Sequence, residues 1–210
     1  MSIIVKLVEL DNFSPYLPRI LNVYSNIVEF EELECLPNLT EETLIDLVID
    51  ISKALHFLHE NQIIHRDVKP ANIMTRNFNH HCREQYVLID FGLSFSYSKK
   101  DDHYIDNKTG KIVTANLGTS YYKAPEVNEE RNYHEKIDIY SLGTSIIHLL
   151  MNSQKVQVTA NWKQEAKDLI WQFLEFQQLV LRMVDVDPNN RPSALKVTEC
   201  MTDIRHNLSN

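Results

Sequence analysis

The chain has 210 residues, which is enough for one domain of ordinary size with a substantial core. Hydrophobic residues at 43% and charged residues at 24% are typical of a globular protein and argue against disorder. The net charge is −8, and residues 1–60 alone hold eleven acids and three bases. This acidic balance argues against nucleic acid as a partner. No apolar run approaches the roughly 18 residues needed to cross a bilayer.

The beginning of the chain and its cysteines bear on the compartment. The first ten residues lack the basic segment, long apolar stretch and small-residue cleavage site of a signal peptide. Cys35, Cys82 and Cys200 are odd in number and widely spaced, which argues against a disulfide framework or a zinc site. Both features predict an intracellular protein, cytoplasmic or nuclear, that is not attached to a membrane.

A long amphipathic helix is predicted over residues 40–60, where apolar side chains recur on one face. Thr40 is a suitable N-cap residue, and Glu41 and Glu42 are favourably placed at the positive end of the helix dipole. The apolar positions are Leu44, Leu47, Val48, Ile51, Leu55 and Leu58.

Shorter elements follow the long helix in chain order. Residues 63–64 suit a short strand, and residues 73–74 and 87–89 suit two strands that pair with each other. Residues 138–150 are apolar on nearly all sides, which predicts a buried helix. Residues 162–184 are predicted to continue as a helical tail.

Two motifs lie between these elements and carry chemistry. Residues 65–72 read His-Arg-Asp-Val-Lys-Pro-Ala-Asn, and Asp-Phe-Gly follows the second paired strand at residues 90–92. Phosphoryl transfer needs a carboxylate that orients the attacking hydroxyl, a cation near the transferred phosphate, and hard oxygen ligands for Mg²⁺. The residues that can supply these parts are Asp67, Lys69, Asn72 and Asp90.

A third motif, Ala-Pro-Glu at residues 124–126, follows the other two in the same order as in eukaryotic-type serine/threonine protein kinases, which the chain resembles. The resemblance implies an α+β, protein-kinase-like fold with a mainly helical C-terminal lobe and an incomplete N-terminal β lobe. It divides the chain into residues 1–34, a remnant of the small lobe and hinge, and residues 35–210, the large lobe.

The resemblance also implies roles for single residues around the reacting groups. Asp67 would orient the substrate hydroxyl, and Lys69 would lie over the γ-phosphate of ATP. Thr119 would hydrogen-bond near both and shape the substrate site. Arg66 would capture a phosphate on the activation segment, which is the stretch between Asp90 and Glu126. The acceptor of that phosphate stays open among Tyr104, Thr109, Thr114 and Ser120.

Further residues are implied to bind Mg²⁺ and ATP or to support the fold. Asn72 and Asp90 would be the Mg²⁺ ligands. Met74 would form the apolar floor for adenine, although a plain core role is an equal alternative. Glu126 and Arg191 are expected to form a buried ion pair that ties the activation segment to the helical tail.

Parts of the small lobe are missing from the pattern. The four glycines are all downstream of residue 91, so no Gly-rich phosphate loop precedes the catalytic motif. Residues 3–10 resemble the fourth small-lobe strand and residues 24–30 the fifth, which makes Lys6 an ordinary strand lysine. Three alternatives therefore remain open: an active kinase acting on a protein substrate, a kinase-like decoy that binds a partner kinase or its substrate, and a fragment of a longer product. The oligomeric state is not predicted.

Overall fold

The fold of the computed structural model combines helices with small antiparallel sheets, as the α+β prediction requires. The structure describes residues 3–8, 14–24, 27–76, 83–100, 103–130, 132–156, 162, 166, 169 and 171–208. The helices are α1 (Ile3–Val8), α2 (Glu41–Glu60), α3 (Pro125–Asn128), α4 (Lys136–Ser153), α5 (Leu174–Met183) and α6 (Ala194–Leu208). The strands are β1 (Ile20–Val23), β2 (Val28–Phe30), β3 (Glu34–Cys35), β4 (Ile63–Ile64), β5 (Ile73–Arg76), β6 (Gln85–Leu88), β7 (Phe95–Lys100) and β8 (His103–Asp106).

The predicted helix over residues 40–60 is confirmed as α2. Thr40 caps it, and its hydroxyl accepts a hydrogen bond from the Thr43 backbone while the Thr43 hydroxyl caps Thr40 in return. Most of α2 is buried because it packs against α6 as well as β6. The Ser52 and Thr198 hydroxyls are 2.7 Å apart across the α2–α6 contact.

The predicted pairing of residues 73–74 with residues 87–89 is confirmed by β5 and β6, where Ile73 lies opposite Leu88. The strand β3 extends this sheet on the other side of β5. A second sheet has the order β4, β7, β8, and Ile64 lies opposite Phe95. The strand leading into the catalytic motif is therefore paired with the strand that follows Asp-Phe-Gly.

The strand predicted over residues 3–10 is wrong, because residues 3–8 form the helix α1. The run of apolar residues fits either element, and helical spacing brings Ile3 and Leu7 to one face against the core. Lys6 is therefore not a strand lysine. Its Nζ donates to the carbonyl of Asn61 at the end of α2, at 2.9 Å, and so joins the two helices.

The single strand predicted over residues 24–30 is also wrong in its extent. The structure has a hairpin of β1 and β2 in which Tyr24 N donates to Ile27 O at 2.8 Å. Residues 25–26 lie outside the described residues. The sequence does not show where β1 ends and β2 begins, because the apolar side chains of both strands are largely exposed.

The buried helix predicted over residues 138–150 is confirmed as α4, which is longer by a few residues at each end. Gly143 allows close approach of α5, because a Cβ there would lie 2.8 Å from Cγ1 of Val184.

Of the predicted tail, residues 174–183 are helical as α5, and most of residues 163–170 lie outside the described residues. The helix predicted through residues 171–173 is wrong, because the backbone N–H groups of Gln172 and Phe173 donate to the Glu41 carboxylate instead.

The predicted Glu126–Arg191 pair is confirmed as a two-pronged ion pair. The guanidinium donates to Oε1 at 2.7 Å and to Oε2 at 2.9 Å. Arg191 is only 1% exposed and also donates to the carbonyl of Asp185 at 2.8 Å. The pair joins α3 to the segment before α6.

Among the described residues, none of the helices has the length and apolar character required to cross a bilayer.

Candidate active site

The centre of the site is the carboxylate of Asp67, which is buried at 8% exposure. Its Oδ1 accepts hydrogen bonds from the Thr119 hydroxyl at 2.7 Å and from the Thr119 backbone at 3.1 Å. Its Oδ2 accepts from Lys69 Nζ at 2.7 Å, and Lys69 also donates to the Thr119 hydroxyl at 2.9 Å. Three residues that the sequence singled out are therefore in mutual contact.

Asn72 completes this network. Its side-chain nitrogen donates to the backbone carbonyl of Asp67 at 2.8 Å and to Oδ2 at 3.1 Å. Burial raises the pKa of the Asp67 carboxyl, but the hydrogen bonds from Lys69, Thr119 and Asn72 outweigh it and hold the pKa below its ordinary value. Asp67 is therefore an ionised hydrogen-bond acceptor at neutral pH.

The backbone of the catalytic motif is held by Asp138, a role that was missed in the sequence. This carboxylate lies on α4, is fully buried, and accepts from the backbone N–H of His65 and of Arg66, each at 2.9 Å. His59 Nε2 lies 3.0 Å from its Oδ2. Burial raises the pKa of Asp138, yet the contacts with His59 and His65 outweigh this and lower it. The position of Asp138 near the start of the mostly apolar helix α4 was the feature of the sequence that could have indicated this role.

Arg66 contacts residues of the activation segment through its side chain. Its backbone φ is 67°, in the left-handed region that residues other than glycine seldom adopt. The guanidinium donates to the carbonyl of Leu93 at 2.6 Å and packs 4.1 Å from the ring centre of Phe95. These contacts join the catalytic motif to the start of the activation segment, whereas Asp67 is contacted by other donors.

Gly118 brings Thr119 to Asp67. Its φ is 108°, and a Cβ at this position would lie 2.7 Å from the carbonyl oxygen of Arg66. Only glycine combines this backbone conformation with so close an approach. The contact explains why a glycine precedes Thr119 in the motif.

The Asp-Phe-Gly motif lies beside Asn72 because the ladder of β5 and β6 continues past its last pair. Ile89 N donates to the Asn72 carbonyl at 2.9 Å. Asp90 is exposed, has φ of 64°, and accepts the Gly92 backbone N–H at 3.0 Å. Phe91 packs edge-on against the ring of His65, with 5.3 Å between ring centres. The motif and the catalytic loop are thus packed together.

A cavity of about 450 Å³ opens next to Asp90. Met74, expected to be the floor for adenine, lines it together with Asp90. The mostly apolar remainder of the lining comes from Pro18, Phe30, Glu31, Leu33, Ile89, Phe91 and Gly92. A concave apolar site with a few polar groups fits a planar organic ligand.

The activation segment contains a hairpin, β7 and β8, that the sequence did not predict. The side chain of Asn132 bonds to this hairpin, because its Oδ1 accepts from the backbone N–H of Tyr104 and its Nδ2 donates to the Tyr104 carbonyl, both at 3.2 Å.

The four candidate phosphate acceptors differ in their exposure to solvent. Thr109 and Ser120 are exposed, and Thr114 is half-buried. Tyr104 is half-buried against the ring of Tyr97, 5.3 Å away.

The geometry agrees with what comparison with known proteins shows. The family model for the protein kinase domain matches residues 4–202. The chain belongs to the protein kinase family. Members of this family generally use ATP and Mg²⁺ and act on protein substrates.

Relatives of this kinase domain include serine/threonine kinases. A serine/threonine-protein kinase of Acanthamoeba polyphaga mimivirus is 30% identical over 74% of the chain and 55% of its own length. The Wee1-like protein kinase of Arabidopsis thaliana is 32% identical over 76% of the chain and 29% of its own length. The inhibitor of nuclear factor kappa-B kinase subunit beta of Bos taurus is 39% identical over 50% of the chain and 12% of its own length. The chain spans about half the length of the mimivirus protein and less of the other two.

Proposed function

We propose that the chain transfers the γ-phosphate of ATP to serine or threonine hydroxyls of proteins. The observation that carries the proposal is the Asp67 carboxylate, ionised and fixed by Thr119, Lys69 and Asn72. A carboxylate held in this way can accept the proton of a substrate hydroxyl while the hydroxyl oxygen bonds to phosphorus and the bond to ADP breaks. Serine/threonine kinases among the relatives support the choice of acceptor.

Lys69 would neutralise charge on the transferred phosphoryl group. Its ammonium lies between Asp67 and the Thr119 hydroxyl, at 2.7 and 2.9 Å. From there a small movement keeps the contact with Asp67 and adds one with a phosphate oxygen, which stabilises the charge that develops during transfer. Thr119 would give way to the substrate hydroxyl at Oδ1 of Asp67, since it occupies that oxygen in the structure.

The residues proposed to hold Mg²⁺ fit its chemistry. The Asn72 nitrogen is engaged by Asp67, so the amide oxygen is the atom available for a cation. Asp90 adds an exposed carboxylate from the neighbouring strand end. The described residues hold no group of three or more His, Cys, Asp or Glu that could bind a metal alone. Mg²⁺ is commonly bound by one or two protein oxygens together with phosphate, and it would neutralise charge on the phosphates when bound.

The cavity beside Asp90 is proposed to take the adenine ring. Met74 lies on β5 directly after Asn72 and Ile73, so the apolar floor and the proposed metal ligand belong to one strand. This order of residues would place a base in the cavity with its phosphates toward Asp90. We also propose, from the family resemblance, that residues 1–34 are the remnant of the small lobe and hinge and residues 35–210 the large lobe. The strand β3 lies across this boundary and pairs with β5.

The test is transfer of radiolabelled phosphate from ATP to a mixture of serine- and threonine-containing peptides. We expect incorporation by the parent to be lost in Asp67→Asn, which keeps the shape of the side chain but removes the charge. Circular dichroism and thermal melting should show that the variant is folded. Equal incorporation by both proteins would refute the role of Asp67.

A second candidate function is a kinase-like protein that binds a partner kinase or its substrate. One observation favours it: within this sequence no glycine precedes Gly92, so residues 1–91 contain no Gly-rich phosphate loop. Under this alternative the parent transfers no phosphate, and Asp67→Asn leaves partner binding unchanged. The same transfer assay therefore separates the two functions.

A further inference from the structure

One buried cation joins the walls of the cavity beside Asp90. Arg76 is the last residue of β5 and is only 5% exposed. Its Nε donates to Oε2 of Glu31 at 2.8 Å, and a second guanidinium nitrogen donates to Oε1. The planar guanidinium thus holds both oxygens of the Glu31 carboxylate.

The same guanidinium reaches two further segments. It donates to the carbonyl of Pro15 at 2.5 Å and to the carbonyl of Leu17 at 3.1 Å. It also donates to the side-chain oxygen of Gln85 on β6, at 2.6 Å. Arg76 therefore connects the chain before β1, the residue after β2, and the β5–β6 pair.

Glu31 is held from its other side by Arg19. Its Oε1 accepts the Arg19 backbone N–H at 2.8 Å, and its own backbone N–H donates to the Arg19 carbonyl at 2.9 Å. Burial raises the pKa of Glu31, but the hydrogen bond and the charge of Arg76 outweigh it and lower the pKa. The pair is thus ionised at neutral pH.

The segments joined by Arg76 are those that line the cavity. Pro18 lies next to Leu17, Glu31 is itself part of the lining, and Leu33 follows two residues later. Met74 is on the same strand as Arg76. Loss of the guanidinium would remove its bonds to Pro15, Leu17 and Glu31 together and leave the Glu31 carboxylate without its cation.

We propose that Arg76 is a positioning residue for the nucleotide cavity, which it forms by fixing Glu31 and the segment before β1 to β5. The inference rests on the proposed nucleotide-binding function and adds a residue that does not contact the nucleotide. Lysine cannot replace it, because one ammonium does not supply the planar fork and the additional donors to two carbonyls.

The first test needs no nucleotide. Hydrogen exchange of the free protein is compared for the parent, Arg76→Gln and Arg76→Lys. We expect peptides covering residues 14–20 and 28–34 to exchange about tenfold faster in Arg76→Gln, with Arg76→Lys in between. The control is Arg83→Gln, which removes the cation 2.7 Å from the buried carboxylate of Asp50, outside the cavity lining. It should lower the melting temperature without changing exchange at residues 28–34; residues 14–20 include Tyr16, which lies near Arg83, so the comparison with this control uses residues 28–34.

The second test is adenosine binding by calorimetry, far below the melting temperature of each variant. Adenosine has no phosphates and so reports on the cavity rather than on the metal ligands. If the walls are correctly placed in only a tenth of the Arg76→Gln molecules, affinity falls about tenfold. Arg83→Gln should bind within twofold of the parent.

The outcomes separate this inference from the proposed function. Faster exchange in Arg76→Gln but not in Arg83→Gln supports the positioning role even if no phosphate transfer is detected. Unchanged exchange in Arg76→Gln overturns it, as does adenosine affinity within twofold of a binding parent. Absence of phosphate transfer by a parent that binds adenosine contradicts only the proposed kinase activity.

Discussion

Replacing Arg191 with methionine removes the cation that neutralises the buried carboxylate of Glu126. The two side chains share hydrogen bonds of 2.7 and 2.9 Å, and Arg191 is 1% exposed. Removing one partner of such a pair typically costs about 3–5 kcal/mol, because the other charge stays buried and unpaired. Since a domain is stable by only about 5–15 kcal/mol, the variant would lose a large share of its stability.

Urea unfolding and calorimetric melting measure this loss. At about 2–4 °C per kcal/mol for a domain of this size, Arg191→Met should melt about 6–20 °C below the parent. The matched control is Arg205→Met, since Arg205 pairs with Asp46 at 3.0 Å but its side chain is 37% exposed. Such a pair contributes at most about 1 kcal/mol.

A double variant checks the physical reason. Glu126→Leu together with Arg191→Met removes both charges, so no unpaired carboxylate remains, and the double variant should be more stable than Arg191→Met alone. The reasoning is refuted if Arg191→Met melts within 2 °C of the parent, or if the double variant is less stable than the single one.

Three further predictions concern the active site. Gly118→Ala should lower the free energy of unfolding in urea by about 1–3 kcal/mol, because its φ is 108° and an added Cβ would meet the Arg66 carbonyl. Gly110→Ala should lower it by less, because φ is 66° there and no atom lies within reach of an added Cβ. Because folding lowers the pKa of Asp138, its ionised carboxylate stabilises the fold fully at any pH above the ordinary pKa of an aspartate, and this stability is lost as the pH falls through the pKa of the folded state. The loss of unfolding free energy in Asp138→Asn, measured by urea unfolding, should therefore be largest at pH 7 and shrink below about pH 4. Calorimetry should show Mg²⁺-dependent ATP binding that Asp90→Ala abolishes, and equal binding by the variant would rule out Asp90 as a metal ligand.

The strongly patterned elements of the large lobe could be predicted from the sequence. The helix α2 has both a regular apolar face and a capping residue, Thr40, so its start was predicted within a residue. Lys69 and Asn72 lie in the same short motif as Asp67, whereas the contact with Thr119, fifty-two residues away, was expected only from the family resemblance. The Glu126–Arg191 pair followed from the same family resemblance.

Other features could not be predicted because they depend on contacts between distant segments. The apolar run of α1 fits a strand or a helix until its packing partner is known. The backbone N–H of Arg66, a residue with φ in the left-handed region, donates to Asp138, which is seventy-two residues away. The contact of Arg76 with Glu31 spans forty-five residues. Contacts between residues so far apart cannot be predicted from the pattern of apolar and polar residues within one segment.

The contact between α2 and α6 has a consequence for the order of folding. Ser52 and Thr198 meet across 146 residues of sequence, and α6 covers the helix that precedes the catalytic loop. Closing so long a loop delays folding, because the entropy is lost before the contact rewards it. During synthesis the face of α2 that α6 covers therefore stays exposed until residues 194–208 have left the ribosome, and an exposed apolar face at that stage favours aggregation.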